Sequence, residues 1–92
     1  MTKKVVAEKV RAELERVQVN GITLEVVDAD VYKVDNWWRV PVRPSRWPKR
    51  MFELYEALAE AEANLQEREH LNILLATGKP LSEEEETEAV AA

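Results

Sequence analysis

The residues with most chemistry to offer lie together, in Trp37-Trp38-Arg39-Val40-Pro41-Val42-Arg43-Pro44-Ser45-Arg46-Trp47-Pro48-Lys49-Arg50. The stretch holds all three tryptophans, three of the four prolines, four arginines and a lysine, and no acid. Guanidinium groups bind phosphates and carboxylates, and exposed aromatic rings stack on bases or cover flat apolar surfaces. A protein partner or a polyanion would suit such a surface. The same residues also have plain structural uses. Trp38 can fill a core, Arg39 can stack on Tyr32 across a hairpin, and Trp47-Pro48 can fix the start of a helix. Arg43, Arg46, Lys49 and Arg50 can pair with Glu62, Glu69 or the acidic C-terminus.

Catalytic chemistry finds little support elsewhere. There is no cysteine, and the only serines, Ser45 and Ser82, fall in loop or cap positions. The single histidine, His70, has no second histidine at metal-binding spacing, and two glycines, Gly21 and Gly78, do not make a phosphate loop. Asp28 and Asp30 would share a strand face and invite a divalent cation, but no further ligand accompanies them. Glu53, Glu56, Glu60 and Glu67 read as a solvated helix face rather than an acid/base pair. No metal or cofactor is expected. The remaining catalytic reading is an enzyme or enzyme subunit whose carboxylate site is completed on assembly.

The totals set the frame for that segment. Ninety-two residues, 46% hydrophobic and 34% charged, make one globular domain. A core of this size gives about 5 kcal/mol of stability, so dimerisation is a natural supplement. The net charge of −5 comes wholly from Glu83, Glu84, Glu85, Glu86 and Glu88; residues 1–80 carry thirteen acids against thirteen bases. A neutral body with a basic middle and an acidic end is not a bulk binder of nucleic acid or anionic lipid. Absence of cysteine fits the cytoplasm, no apolar run approaches the roughly 18 residues of a membrane span, and Lys3-Lys4 does not open a signal peptide. The expected location is cytoplasmic.

The elements that must position the segment follow from periodicity. Val6, Val10, Leu14 and Val17 predict a helix over 3–18, with Thr2 as its cap and Lys9, Arg11, Glu13, Glu15 and Arg16 on the other faces. Asn20-Gly21 is either its left-handed cap or a hairpin turn; the stripe running directly up to it favours the cap. From Ile22 to Val34 the chain alternates, but Ile22, Leu24 and Val26 have one parity and Val27, Ala29 and Val31 the other. A bulge or bend between Val26 and Asp30 is therefore predicted, with Asp28 and Asp30 turned to solvent. Asp35-Asn36 closes a two-residue hairpin that sets Val34 against Trp37, Lys33 against Trp38, Tyr32 against Arg39 and Val31 against Val40. One face then holds Val27, Ala29, Val31, Trp38, Val40 and Val42; the other holds Asp30, Tyr32, Val34, Trp37, Arg39 and Pro41. Because Pro41 cannot donate to a ladder, its strand is expected at an edge.

A helix is predicted from about Pro48 to Glu69, with Met51, Leu54, Tyr55, Leu58, Ala61 and Leu65 on one face and Phe52, Ala59 and Ala63 as a second stripe. Glu62 and Glu69 fall inside that arc and must reach an edge or a basic partner. Leu71–Ala76 reads as a short buried strand, and Ser82 with Glu85 as a capping box opening a frayed helix or disordered tail over 81–92. The expected fold is α+β in the order α-β-β-α-β: a single domain over 1–80, with a small three-stranded, mainly antiparallel sheet covered on one face by two helices. If Pro41 marks an edge, the strand order is 2-1-3 and antiparallel throughout; a last strand parallel to the second would use the long helix as its crossover. The expected function is a small non-enzymatic interaction module. It would be a homodimer that binds a protein partner through Trp37, Arg39, Arg43, Arg46, Trp47, Lys49 and Arg50, with nucleic-acid binding by the same residues as the alternative.

Overall fold

Val6, Val10 and Leu14 repeat at helical spacing, and helix α1 forms over Lys3–Leu14 with all three buried. The computed structural model that shows this describes residues 1–82; the Glu run after Ser82, expected as a frayed helix or disordered tail, lies outside the described residues. Thr2 caps α1, its Oγ1 accepting the Val5 N–H at 3.3 Å. The helix stops at Leu14 rather than Gln18, and Val17 and Val19 reach the core from an irregular segment. Asn20-Gly21 is therefore not the helix cap that the stripe favours. It is the centre of a tight turn, with the Ile22 N–H donating to the Val19 carbonyl at 3.0 Å. Gly21 takes a φ of +71°, which a Cβ would strain.

The sheet is built on one long strand. Strands β1 (Leu24–Glu25) and β2 (Tyr32–Val34) both run antiparallel to β3 (Trp37–Pro44), and β4 (Ile73–Thr77) runs parallel to it. The hairpin has the predicted register, Val34 to Trp37, Lys33 to Trp38 and Tyr32 to Arg39. Asp35 and Asn36 supply the two positive φ angles, 49° and 67°, that its turn requires. The predicted interruption is also present. Between Glu25 opposite Arg43 and Tyr32 opposite Arg39, six residues of one strand lie across from three of the other. The extra length is taken up by a 3₁₀ turn over Asp28–Asp30. It lets Val26 and Val31, of opposite parity, both be buried. The switch leaves Ala29 exposed and Val27 only half-buried, so these two do not belong to the apolar face expected of them.

Two expectations about the sheet are corrected. The strand carrying Pro41 is central, not an edge, and the last strand is parallel to it, so the order 2-1-3 and the antiparallel-throughout arrangement do not hold. Hydrogen-bond alternation explains how proline is accommodated. Trp38 N–H donates to the Asn72 carbonyl at 2.8 Å and Gly78 N–H to the Val42 carbonyl at 2.7 Å, both toward β4. Ser45 N–H points the other way, to the Thr23 carbonyl at 2.8 Å. The Pro41 nitrogen shares that second direction. It therefore faces the stretch where β1 and β2 are interrupted, and no ladder bond is lost.

Helix α2 (Met51–Arg68) buries Leu54, Ala57, Leu58, Ala61 and Leu65 against the sheet and α1. Tyr55, expected within that arc, turns outward and is 54% exposed, as is Phe52. Both carboxylates inside the arc find partners. Glu69 pairs with Lys9 of α1 at 2.9 Å, and the ammonium and its hydrogen bond hold the Glu69 carboxyl below its ordinary pKa. Glu62 Oε1 accepts the Leu75 N–H at 2.9 Å, and Gln66 Nε2 donates to the Ile73 carbonyl at 3.0 Å. Odd-numbered residues of β4 point their backbone groups away from β3, so these two side chains close part of its open edge. Glu13, expected among the solvent-facing residues, is instead buried and accepts from Asn64 Nδ2 at 2.8 Å, linking the helices. His70 terminates α2 in the left-handed conformation, φ 54°. Both helices cover one face of the sheet, where Val31, Trp38, Val40, Val42, Pro44 and Ile73 are buried. Among the described residues no helix is long and apolar enough to cross a membrane.

Candidate interaction surface

Strand alternation divides the basic, tryptophan-rich segment. Trp38, Val40, Val42 and Pro44 point into the core, and Trp37, Arg39, Pro41 and Arg43 point to the opposite face, which neither helix of the described residues covers. The register of the neighbouring strands completes that face. Val34 lies beside Trp37, and Tyr32 and Leu74 flank Arg39 on either side. Ala76 lies beside Pro41, and Glu25 beside Arg43. Tyr32 is 47% exposed and Trp37 37%. The result is a flat apolar platform with Arg39 at its centre. Arg39 has no hydrogen-bond or ion-pair partner among the described residues.

Arg43 is held differently. It is half-buried, and its Nε donates to the Lys79 carbonyl at 2.8 Å. A Cβ at Gly78 would come within 2.9 Å of the Arg43 Cγ, so Gly78 gives the arginine stem room to lie along the end of the sheet. Trp38 belongs to the core; the Lys33 ammonium, directly across the hairpin, sits over its ring, 5.3 Å from the centroid.

The rest of the segment forms a separate corner where β3 passes into α2. Ser45 fixes it: its Oγ accepts the Thr23 N–H at 3.1 Å while its carbonyl accepts the Ser82 N–H at 3.2 Å. Pro48 is buried beneath the corner, but α2 begins only at Met51, so Pro48 precedes the helix instead of opening it. Arg46, Lys49 and Arg50 are exposed and line a cleft of about 240 Å³ with Asn20, Ile22, Pro48 and Glu53. Arg46 Nη2 makes one long contact, 3.5 Å, to the Gly21 carbonyl. Trp47 is exposed and packs less than Trp38 does.

The seven residues expected to form one site thus fall into two groups: Trp37, Arg39 and Arg43 on the sheet, and Arg46, Trp47, Lys49 and Arg50 at the corner. Tyr32, Val34, Leu74 and Ala76 join the first group. The hairpin pattern already turns Tyr32 and Val34 outward, but placing Leu74 and Ala76 requires the parallel register of β4, which no local pattern encodes. The carboxylates have other uses. Asp28 is not on a strand with Asp30; it sits in the 3₁₀ turn, ion-paired to Arg11, whose guanidinium also donates to the Val26 carbonyl at 2.8 Å. No three acidic or histidine side chains come together as a metal-binding group among the described residues. No protein-family model, curated protein or solved structure matches the chain.

Proposed function

We propose that the chain acts by binding rather than catalysis, as a small interaction module whose open sheet face takes the surface of a protein partner. The observation that carries this reading is the platform of Tyr32, Val34, Trp37, Leu74 and Ala76 around Arg39; the described residues leave the platform uncovered and Arg39 without a partner among them. An antiparallel sheet that meets only water on one face usually alternates apolar and polar residues. Here the water-facing set is itself aromatic and aliphatic. Tryptophan, tyrosine and arginine are the side chains that most often dominate protein–protein binding energy. Their clustering on a rigid strand limits the entropy lost on docking.

The exposed Phe52 and Tyr55 of α2 support self-association on a second surface. With Ala59 and Ala63 they leave an apolar stripe outside the core. Stacking of single-stranded nucleic acid on Tyr32 and Trp37 is the second reading, favoured by Arg39, which lies opposite Tyr32 and two residues from Trp37 on the same strand. Glu25 and Asp30 at the same end of the sheet as Arg43 weigh against it.

The test compares proteins from the native host retained by the immobilised chain and by its Trp37→Ser, Arg39→Ala variant. The variant should remain folded by circular dichroism and lose specific partners; equal retention would contradict the reading. Salt-dependent binding of a labelled single strand to the wild type, with no protein retained, would instead favour the second.

A further inference from the structure

The outward face of α2 carries an apolar stripe whose side chains change in size along the helix. Phe52 and Tyr55 are each 54% exposed, and Ala59 and Ala63, also exposed, follow them on the same face. At about 100° per residue the four lie within roughly 80° of one another. They fall outside the arc of Leu54, Ala57, Leu58, Ala61 and Leu65 that packs on the sheet and α1. A groove of about 340 Å³ continues the stripe from Tyr55 and Ala59 to Leu75 of β4, so apolar surface extends past the helix itself.

The order of sizes points to the occupant. Laid parallel, two such stripes would meet ring against ring at one end and alanine against alanine at the other. Laid antiparallel about a two-fold axis, they interlock. A register that sets Phe52 level with Ala63 of a second copy also sets Tyr55 within one residue, about 1.5 Å, of the level of its Ala59. Symmetry repeats both contacts. Each ring then enters the hollow above an alanine, at the helix separation of roughly 8 Å that small side chains permit. On the flank of the stripe the same register brings Lys49 near the level of Glu67 of the second copy, and Glu56 near that of Glu60. All four are exposed. The first pair attracts, and the second repels weakly because it stays in water.

We propose that this face of α2 is a homodimer contact in which two copies pair antiparallel, Phe52 and Tyr55 of each packed on Ala63 and Ala59 of the other. It rests on the self-association read from the same stripe and adds its geometry. Four half-exposed rings offer on the order of 400 Å² of apolar surface, less than the roughly 1,200 Å² of a stable interface, so the dimer is a reversible one. Helix α2 lies on the far side of the sheet from the platform of Trp37 and Arg39, so pairing leaves both platforms open.

The purified full chain is measured alone, which makes the result independent of any partner on the sheet face. Its mass by light scattering should rise from one chain toward two between about 1 μM and about 1 mM, the range of a small reversible interface. Phe52→Ser with Tyr55→Ser should weaken association at least about ten-fold without changing the circular dichroism, and Trp37→Ser with Arg39→Ala should leave it unchanged. Because the chain has no cysteine, single cysteines then report the register. Ala59→Cys sets the two cysteines about 4.5 Å apart along the helix axes, within disulfide reach, and Ala63→Cys sets them about 16 Å apart. Disulfide dimers should form at least about ten-fold faster from the first than from the second. The mass of one chain at every concentration, or a dimer that the double serine substitution leaves intact, would overturn the proposal together with the self-association reading of the stripe. Equal rates from the two cysteines would overturn the antiparallel geometry alone. Ala59 and Ala63 are exposed, so cross-linking remains decisive even if the double serine variant misfolds.

Discussion

The two halves of the Trp37–Arg50 segment share a composition and have opposite physical characters. In the strand half, every second residue is locked in the core, and those between inherit a fixed orientation from β3 and its neighbours on both sides. In the corner half, only Pro48 is buried; three cations stand in solvent around a cleft. Tryptophan and arginine therefore do not make a surface by themselves. Rigid apolar packing sets them in a platform with fixed orientation, and its absence leaves cations exposed to solvent.

Deleting one tryptophan from each half separates the two most strongly. Trp38→Ala should cost about 3–5 kcal/mol by urea unfolding, the range for a large core side chain, whereas Trp47→Ala should cost less than about 1 kcal/mol. Similar costs would mean that the corner is packed as tightly as the strand.

The next largest effect concerns the edge that supports the platform. Glu62→Ala removes the acceptor of the Leu75 N–H and should destabilise by about 1 kcal/mol. It should also raise the mass from light scattering above that of the wild type at the same protein concentration, since an uncovered edge invites pairing. A variant with the same mass as the wild type at every concentration would show that Glu62 does not guard the edge.

Pro41→Val is the finer test of the strand half. The new N–H would point at the interrupted stretch beside the 3₁₀ turn, so stability should change by no more than about 0.5 kcal/mol. A clear gain would mean that a ladder partner is in reach after all.

The smallest effect lies outside both halves and serves as their reference for exposed charge. Lys9 lowers the Glu69 pKa, so their pairing contributes at neutral pH and is lost as pH falls through the lowered value. Urea midpoints of wild type and Lys9→Gln should therefore differ slightly at pH 7 and converge on acidification. A gap that widened in acid would contradict that sign.

Local chemistry made much of this arrangement readable in advance. Asp35-Asn36 dictated both the hairpin and its register, because few residue pairs tolerate two positive φ angles. The conflict of parity between Val26 and Val31 required an interruption, and the 3₁₀ turn supplies it. Glu62 and Glu69 announced that they needed partners, although not that one would be a strand's backbone. Pro41 misled for a physical reason: its lost donor excludes a ladder on one side only, and that side is where the neighbouring strand is broken. The parallel pairing of β4, and with it Leu74 and Ala76 on the platform, depends on contacts across more than thirty positions of the chain. Glu13 looked solvated by position, and only its distant partner Asn64 explains its burial.

Immobilising three full-length forms side by side tests the division most directly: wild type, Trp37→Ser with Arg39→Ala, and Arg46→Gln with Lys49→Gln and Arg50→Gln. The sheet-face variant should lose the protein partners that the wild type retains, and the corner variant should keep them. Loss of the same partners from the corner variant, with the sheet-face variant unaffected, would contradict the account.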